Sequence, residues 1–476
     1  MNNTKKVFNS NQFMLSIILL SIFGLVTLFL GLEKATQKLL LPATLFFAMI
    51  ALIANFFYWN APDGIYFKSM LIENRLTMSF NGIVILSALL IIALSRGFAK
   101  TENAQPAEYY GIMLFSLVGA IMMIGYENLI MLFVGVEILS VSMYVLTGSD
   151  KRNLRSNEAA LKYFLMGAFA TGIMLFGIAL LYGATGSFNL TQIKGMVALT
   201  SASPSPLLYV GLLMLLIGML FKVSAAPFHF WTPDVYDGAP TIFTAFMSTI
   251  VKTAGFAAIF RLLGGAFGGA YNFWWTTLAA ITVLTLVAGN ITAVYQQSFK
   301  RMMAYSSISH AGYLLLAVTA FTSQSQNAVV FYSLAYSLAT ISAFGVLILV
   351  AEEKNAQPIE IAESYDSFNG LGKKNKLLGF VLTVSMLSLA GIPLTAGFWG
   401  KFFVFGSVIE RGQTWLLIVA ILMSAVGIYY YFKAIIATFL KDGNTPNIEL
   451  SPVYRVVLII TTSATILLGI LPNLIR

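Results

Sequence analysis

The sequence predicts an all-α polytopic membrane protein of about fourteen transmembrane helices, and three features predict it. Of its 476 residues 58% are hydrophobic and 10% charged, with a mean hydropathy of +0.83. That is too little charge to cover a soluble protein of this length, so apolar side chains must face lipid. The apolar residues also fall in runs of about 20, the length that crosses hydrocarbon as a helix. A barrel would need alternating strands, and unpaired backbone is not tolerated in lipid, so the runs are helices.

In order, the predicted spans lie near 13–32, 39–59, 77–95, 109–125, 127–147, 158–183, 207–226, 240–263, 273–293, 303–322, 327–351, 376–391 continuing to 411, 414–440 and 454–474. The first follows MNNTKK. It is too long for a signal peptide and lacks a small-residue cleavage site, so it reads as a retained helix. The longest polar stretch, 352–376, carries Glu352, Glu353, Glu360, Glu363 and Asp366 and reads as a loop, as does Asp442-Gly443-Asn444.

The seventh span is interrupted after Lys222 by Pro227, His229, Trp231 and Pro233, and the twelfth by Gly391, Pro393, Gly397 and Gly400 just before Lys401. Proline removes a backbone donor, and broken membrane helices persist only where protein or water satisfies the freed groups. Transporters place ion sites at such breaks. Spans four to eight and nine to thirteen then form two five-helix units, each with a broken fourth helix. The odd number inverts the second unit relative to the first. The expected division is a three-helix region over 1–108, repeats over 109–263 and 264–440, and a last helix within 441–476.

Basic residues orient the chain. Loops on one side hold fifteen, among them Lys34, Lys100, Lys151, Arg152, Arg155, Lys300, Arg301 and Lys354; the other side holds eight, including Lys5, Lys6, Arg261 and Arg476. The first side is expected to be cytoplasmic, with both termini outside. The net charge of +9 is scattered in this way with no aromatic-interleaved basic patch, which argues against nucleic acid. No cysteine is present to hold an iron–sulfur cluster and there are only two histidines, so electron chemistry belongs on another polypeptide.

Five basic residues remain inside apolar segments: Lys162, Lys222, Lys252, Lys401 and Lys433. A charge at mid-bilayer costs several kcal/mol, so such residues usually face a bundle interior or a hydrated cavity. Lys222, Lys252 and Lys401 have strongly apolar flanks, and Glu137 sits mid-way along the fifth span. A single buried lysine could be a snorkelling or once-paired structural group; three beside a buried acid point to proton transfer. Two unit charges roughly 8 Å apart at an effective dielectric near 20 interact by roughly 2 kcal/mol. Moving one proton therefore changes a neighbour's proton affinity more than tenfold. Glu127, opening the same span, reads as interfacial. Lys162 lies one turn after Glu158, the spacing of a helix-surface ion pair. Lys433 beside Tyr429, Tyr430 and Tyr431 reads as snorkelling. His229 and His310 are candidate relays, each equally explicable as a satisfied core residue. Asp234 and Asp237 read as loop residues.

The string APFHFWTPDVYDGAPT at 226–241 resembles the signature of the antiporter-like subunits of respiratory complex I and of Mrp-type cation/proton antiporters. GNITAVYQQSFKRMMAYSSISHAGY at 289–313, the segment 158–186 and AGIPLTAGFWGKF at 390–402 are similar to further motifs of that family. WTPDVYDGAP, lysine at 401 and the absence of a long lateral helix resemble its subunit N branch. Ile242 departs from a common proline, which touches only the start of the eighth helix.

The resemblance implies that Glu137, Lys222, Lys252 and Lys401 are channel residues and that His229 and Lys162 link half-channels. It implies proton translocation in the bacterial inner membrane, driven by quinone reduction in neighbouring subunits. No cofactor is then expected on this chain; NADH, FMN, iron–sulfur clusters and quinone belong to other subunits. The partners expected are other membrane subunits of complex I and the bilayer. The competing readings are an Mrp-type antiporter subunit and a non-transporting scaffold.

Overall fold

A computed structural model of the chain describes residues 15–33, 36–57, 59–60, 62–97, 105–199, 205–353, 362–443 and 447–475. Lys5, Lys6, Lys34, Lys100, Lys354, Glu360, Asn444 and Arg476, used above for orientation and loops, lie outside them.

Each of the fourteen predicted runs carries a helix. The N-terminal region holds α1 (Leu15–Leu30), α2 (Leu40–Phe57) and α3 (Arg75–Ala93). Between α2 and α3 the chain departs from the all-α expectation: β1 (Gly64–Tyr66) pairs antiparallel with β2 (Leu71–Glu73). The hairpin docks on the bundle through a bridge between Leu71 and Tyr126 and through the Glu127 amide, which donates to the Met70 carbonyl.

The next helices are α4 (Pro106–Gly125), α5 (Leu129–Thr147), α6 (Leu154–Thr185), the short α7 (Leu190–Leu199) and α8 (Pro206–Lys222). Then come α9 (Trp231–Gly238) and α10 (Thr241–Ala266). The remainder is α11 (Tyr271–Val294), α12 (Phe299–Ala320), α13 (Ser325–Glu353), α14 (Lys376–Ala390), α15 (Ala396–Glu410), α16 (Thr414–Phe439) and α17 (Pro452–Ile470). Among the described residues ten helices are long and apolar enough to cross a membrane, and α1, α8 and α14 are shorter apolar helices. α12 carries Lys300, Arg301 and His310 along its 22 residues.

Both predicted breaks are present. α8 stops at Lys222 and the chain turns through Ser224, in the left-handed region, before α9 begins. α14 stops at Ala390, and Gly391 and Leu394 both have positive φ before α15 begins. Asp234 and Asp237 lie within α9, not in a loop: the chain resumes a helical turn as soon as it leaves the break.

Helices approach closely where glycine allows it. A Cβ on Gly119 of α4 or Gly135 of α5 would strike the other helix's backbone, and Gly177 of α6 and Gly211 of α8 are matched in the same way. This is the small-residue packing that membrane helices use in place of a hydrophobic driving force. α10 is enclosed over its whole apolar window and α13 over 89% of it, whereas α16 is enclosed over only 28%. α10, which carries Lys252, and α13 are therefore among the most enclosed helices of the bundle.

Candidate functional site

The end of α8 places the first amine. Lys222 is 3% exposed; its Nζ donates to Ser140 Oγ on α5 at 2.8 Å and lies 3.3 Å from the Tyr163 hydroxyl on α6. The break is secured without the lysine. Trp231 Nε1 donates to the Phe221 carbonyl at 3.0 Å, Thr232 Oγ1 donates to Ser224 Oγ at 2.7 Å, and the Ala226 amide donates to Thr285 Oγ1 of α11 at 2.9 Å. Trp231 in turn stacks on Tyr163 at 4.5 Å. The freed backbone groups are thus paired as a membrane interior requires, leaving the amine free to point sideways.

Glu137 lies three residues before Ser140 on α5, hence on the same face. It is half-buried, and its Oε1 is enclosed without a hydrogen-bond partner. On its other flank α5 exposes Val134 and Val141. The carboxyl therefore stands between the Lys222 site and the outer face of the bundle.

Lys252, 2% exposed, follows a π-helical turn over Met247–Val251. Such turns interrupt regular backbone pairing and recur at functional positions. Its Nζ donates to the Ser307 carbonyl of α12. α10 packs directly on the first break, since a Cβ on Gly255, three residues beyond Lys252, would strike Val223 beside Lys222.

One turn along α12 from Ser307 stands His310, 4% exposed. Its Nδ1 lies 2.7 Å from the Tyr332 hydroxyl and its Nε2 3.0 Å from that of Tyr431, which lies 2.6 Å from Ser306 Oγ. A neutral imidazole donates from one nitrogen and accepts at the other, so a change of tautomer reverses both bonds. A cavity of about 10 Å³ beside His310, Tyr332 and Tyr336 reaches the wall of the second break at Ser388 and Gly397. Beyond it Lys401, 6% exposed, donates to the Ala390 carbonyl at 2.8 Å and to Ser424 Oγ at 2.9 Å, with its amine 4.8 Å from the Tyr313 ring centre.

The other predicted residues sit apart from this row. Lys162 is on the rim, 42% exposed at its side chain, bridging Glu158 at 2.7 Å and Asp234 at 2.8 Å; Asp234 also pairs with Arg301 at 2.9 Å. His229 lies inside the first break, 9% exposed, with Nδ1 unpartnered. Lys433 donates to the Gln296 carbonyl at 3.0 Å and covers the Tyr365 ring.

Glu127, at the edge of the span just before α5, is 8% exposed. Thr191 Oγ1 donates to it at 2.7 Å, and the buried Arg261 guanidinium stands 3.9 Å away. The hairpin and α7 fold over this end of α5 and remove it from solvent. Sequence reading also counted Lys300 among loop cations, yet it is 2% exposed and paired with Glu363 at 2.9 Å. It missed Ser140, Ser424 and the tyrosines around His310, because neutral side chains give no charge anomaly in an apolar run.

With this geometry in place, the transmembrane family described as NADH:quinone oxidoreductase/Mrp antiporter matches residues 127–427. NADH-quinone oxidoreductase subunit N of Cytophaga hutchinsonii is 40% identical over 471 residues, covering 97% of this chain and 98% of that protein. The subunit N of Trichlorobacter lovleyi is 40% identical over 421 residues, covering 88% and 85%. Among solved structures, a chain of the respiratory complex I of Thermus thermophilus with bound aureothin superposes with a TM-score of 0.83 at 34% identity over 97% of this chain and 98% of that one. A chain of the Mrp complex from a Dietzia species gives 0.84 at 19% identity over 97% and 95%, a likeness of fold alone. The enclosed lysines lie inside the matched span, and the full-length agreement is with subunit N sequences. The chain belongs to the antiporter-like transmembrane family of NADH:quinone oxidoreductase and Mrp antiporters, within its subunit N branch.

Proposed function

We propose that the chain is a proton-translocating membrane subunit of NADH:quinone oxidoreductase, carrying protons along Glu137, Lys222, Lys252 and Lys401. One observation carries the reading: how the amines are held. Among the described residues, Lys162, Lys300, Lys373 and Lys441 form ion pairs with carboxylates. Lys222, Lys252 and Lys401 are instead held by hydroxyl or carbonyl oxygens. An ammonium locked to a carboxylate in low dielectric keeps its proton; one held by neutral dipoles can give it up. Lys433 is also held by a carbonyl but is only half-buried, so the three best-enclosed amines of the predicted set are all free of a locking carboxylate and able to change charge.

His310, reversible between Tyr332 and Tyr431, links the Lys252 and Lys401 sites. His229 serves the first break, and Lys162 with Asp234 gates its rim. Glu137, between Lys222 and the outer face of α5, receives the electrostatic push of a neighbouring membrane subunit. The two breaks belong to two inverted five-helix units over 109–263 and 264–440, after a three-helix region and before a last helix. Moving one proton against 100 mV needs about 2.3 kcal/mol. That energy comes from electron transfer on other subunits, which hold the NADH site, FMN, iron–sulfur clusters and quinone. The location is the bacterial inner membrane, with both termini on the outer side.

The test is proton uptake into vesicles bearing the purified, assembled complex. Lys222→Ala and Glu137→Ala should each lower pumping at least about tenfold while leaving subunit composition intact. Parental pumping by correctly assembled variants would sink the relay. Peripheral iron–sulfur subunits should co-purify with the chain; co-purification with antiporter subunits alone would favour the Mrp-type reading.

A further inference from the structure

A relay needs a way for protons to reach its first amine, and the first break is sealed by Trp231, Tyr163 and the paired backbone around it. A different opening lies between the start of α4, the end of α5 and the start of α6. It is a cavity of about 360 Å³ lined by Gln105, Glu108, Tyr144, Ser149, Lys151 and Asn157. Its rim carries an acid and a base on the side of the membrane that the basic loops mark as cytoplasmic. Tyr144, only 9% exposed, is part of its wall.

Tyr144 stands one helical turn beyond Ser140 on the same face of α5. Its ring meets that of Tyr163 edge-on at 4.7 Å. The hydroxyl occupies the place where a Cβ of Gly167 would be, so α6 is cut away at this one point to admit it. Ser140 is the hydroxyl that holds Lys222 Nζ at 2.8 Å. Cavity, Tyr144, Ser140 and Lys222 therefore follow one another along α5 and onto α8, and the two hydroxyls and the amine can each accept and donate a proton.

We propose that Tyr144 is the proton-uptake residue of the first half of the bundle, passing protons from the cavity between α4, α5 and α6 through Ser140 to Lys222. In the step, a hydronium in the cavity gives a proton to the Tyr144 oxygen as Tyr144 gives its own proton to the Ser140 oxygen. Ser140, turned away from the Val136 carbonyl it donates to at rest, passes its proton to the lone pair of a neutral Lys222 amine. One proton leaves the water, one ammonium forms, and both hydroxyls end neutral; rotation resets them. The inference rests on the relay reading of Lys222.

Tyr144→Phe keeps the ring against Tyr163 and deletes only the hydroxyl. In vesicles bearing the assembled complex it should lower pumping about tenfold, and the residual rate should rise with proton concentration on the uptake side. A purely packing role for the ring would not produce that pH profile. This chain contains no cysteine, so Asn157→Cys places a single thiol of this subunit at the cavity mouth. Modifying it with a charged, membrane-impermeant thiol reagent from the uptake side should inhibit pumping relative to the same unmodified variant, whether or not Tyr144→Phe assembles. If Tyr144→Phe pumps at the parental rate, or the modified thiol leaves pumping unchanged, while Lys222→Ala stops it, protons reach Lys222 by another path and this inference falls alone. If Lys222→Ala also pumps normally, the relay reading falls with it.

Discussion

The two helix breaks meet the same difficulty, an amine enclosed beside freed backbone, from opposite ends. Lys222 is the last residue before its break, and the Phe221 carbonyl next to it is taken by Trp231. Lys401 follows its break by half a dozen residues and reaches back to the Ala390 carbonyl itself. A tryptophan completes the first break and the lysine is left over for chemistry. In the second, the lysine is also the cap of a helix C-terminus, where a cation is favoured by the helix dipole. The first site has a carboxyl nearby in Glu137. On the far side of the tyrosines from the second site stands His310. On the proposed relay, the half with the acid is driven from outside the chain and the other responds through its neighbours.

The largest effect that separates the halves should come from removing each amine with a side chain of similar length. Lys222→Met and Lys401→Met should both stop pumping. Lys401→Met should lower the melting temperature of the assembled complex the more, because it strips the buried Ala390 carbonyl of a close partner, worth about 1–3 kcal/mol, whereas Lys222→Met takes from the buried Tyr163 hydroxyl only a longer contact of 3.3 Å. The Ser140 hydroxyl freed by Lys222→Met already donates to Val136. Equal melting temperatures for the two variants would show that Lys401 has no capping role.

A smaller effect distinguishes the hydroxyls. Ser140→Ala and Ser424→Ala each delete a hydroxyl that accepts from a lysine; losing about 1 kcal/mol of preference for the ammonium lowers that lysine's proton affinity roughly fivefold. Ser424 only props Lys401, whereas Ser140 also carries protons inward from Tyr144. Pumping should therefore fall several-fold further in Ser140→Ala than in Ser424→Ala. Equal losses would make Ser140 a prop as well.

This asymmetry also marks how far the sequence could be read. The breaks were legible at Pro227, Pro233 and Pro393 because proline in an apolar run has one strong local consequence. Lys222, Lys252 and Lys401 were legible because charge in such a run is anomalous. Their partners were not, since Ser140, Ser424, Tyr332 and Tyr431 are ordinary residues whose meaning comes from helices distant in the chain. The enclosure of Lys300 and of Glu127 was not legible for a related reason. A charged residue at the end of a span looks solvated until a second segment, here Glu363 for one and the hairpin and α7 for the other, folds over it. The hairpin was itself invisible, because two three-residue strands carry too little alternation to stand out between long helices.

The smallest predicted effect lies in that hairpin, outside both breaks. Glu73 ends β2, 9% exposed, facing a cavity of about 30 Å³ that it shares with Asn81, Thr77 and Tyr66. Its Oε2 and the Asn81 Oδ1 are both enclosed without partners. Burial raises the carboxyl from its ordinary 4.5 to about 8. The folded hairpin thus keeps a proton that the unfolded chain releases above about 4.5. Between these limits the folded state binds more protons, so its stability is full at the acidic end and declines as pH rises toward 8. Protection of the amides of residues 64–73 from hydrogen exchange, corrected for intrinsic rates, should therefore fall over that window in the parent. In Glu73→Gln, which cannot ionise, protection should stay nearly level, matching the parent near pH 5 and exceeding it near pH 8. Pumping should hardly change, because Glu73 belongs to neither amine site. Identical pH profiles in parent and variant would mean that the carboxyl is hydrated and ionised in the folded hairpin. A loss of pumping would instead tie this outer cavity to the proton path, and the contrast between the two breaks would no longer describe the whole conducting route.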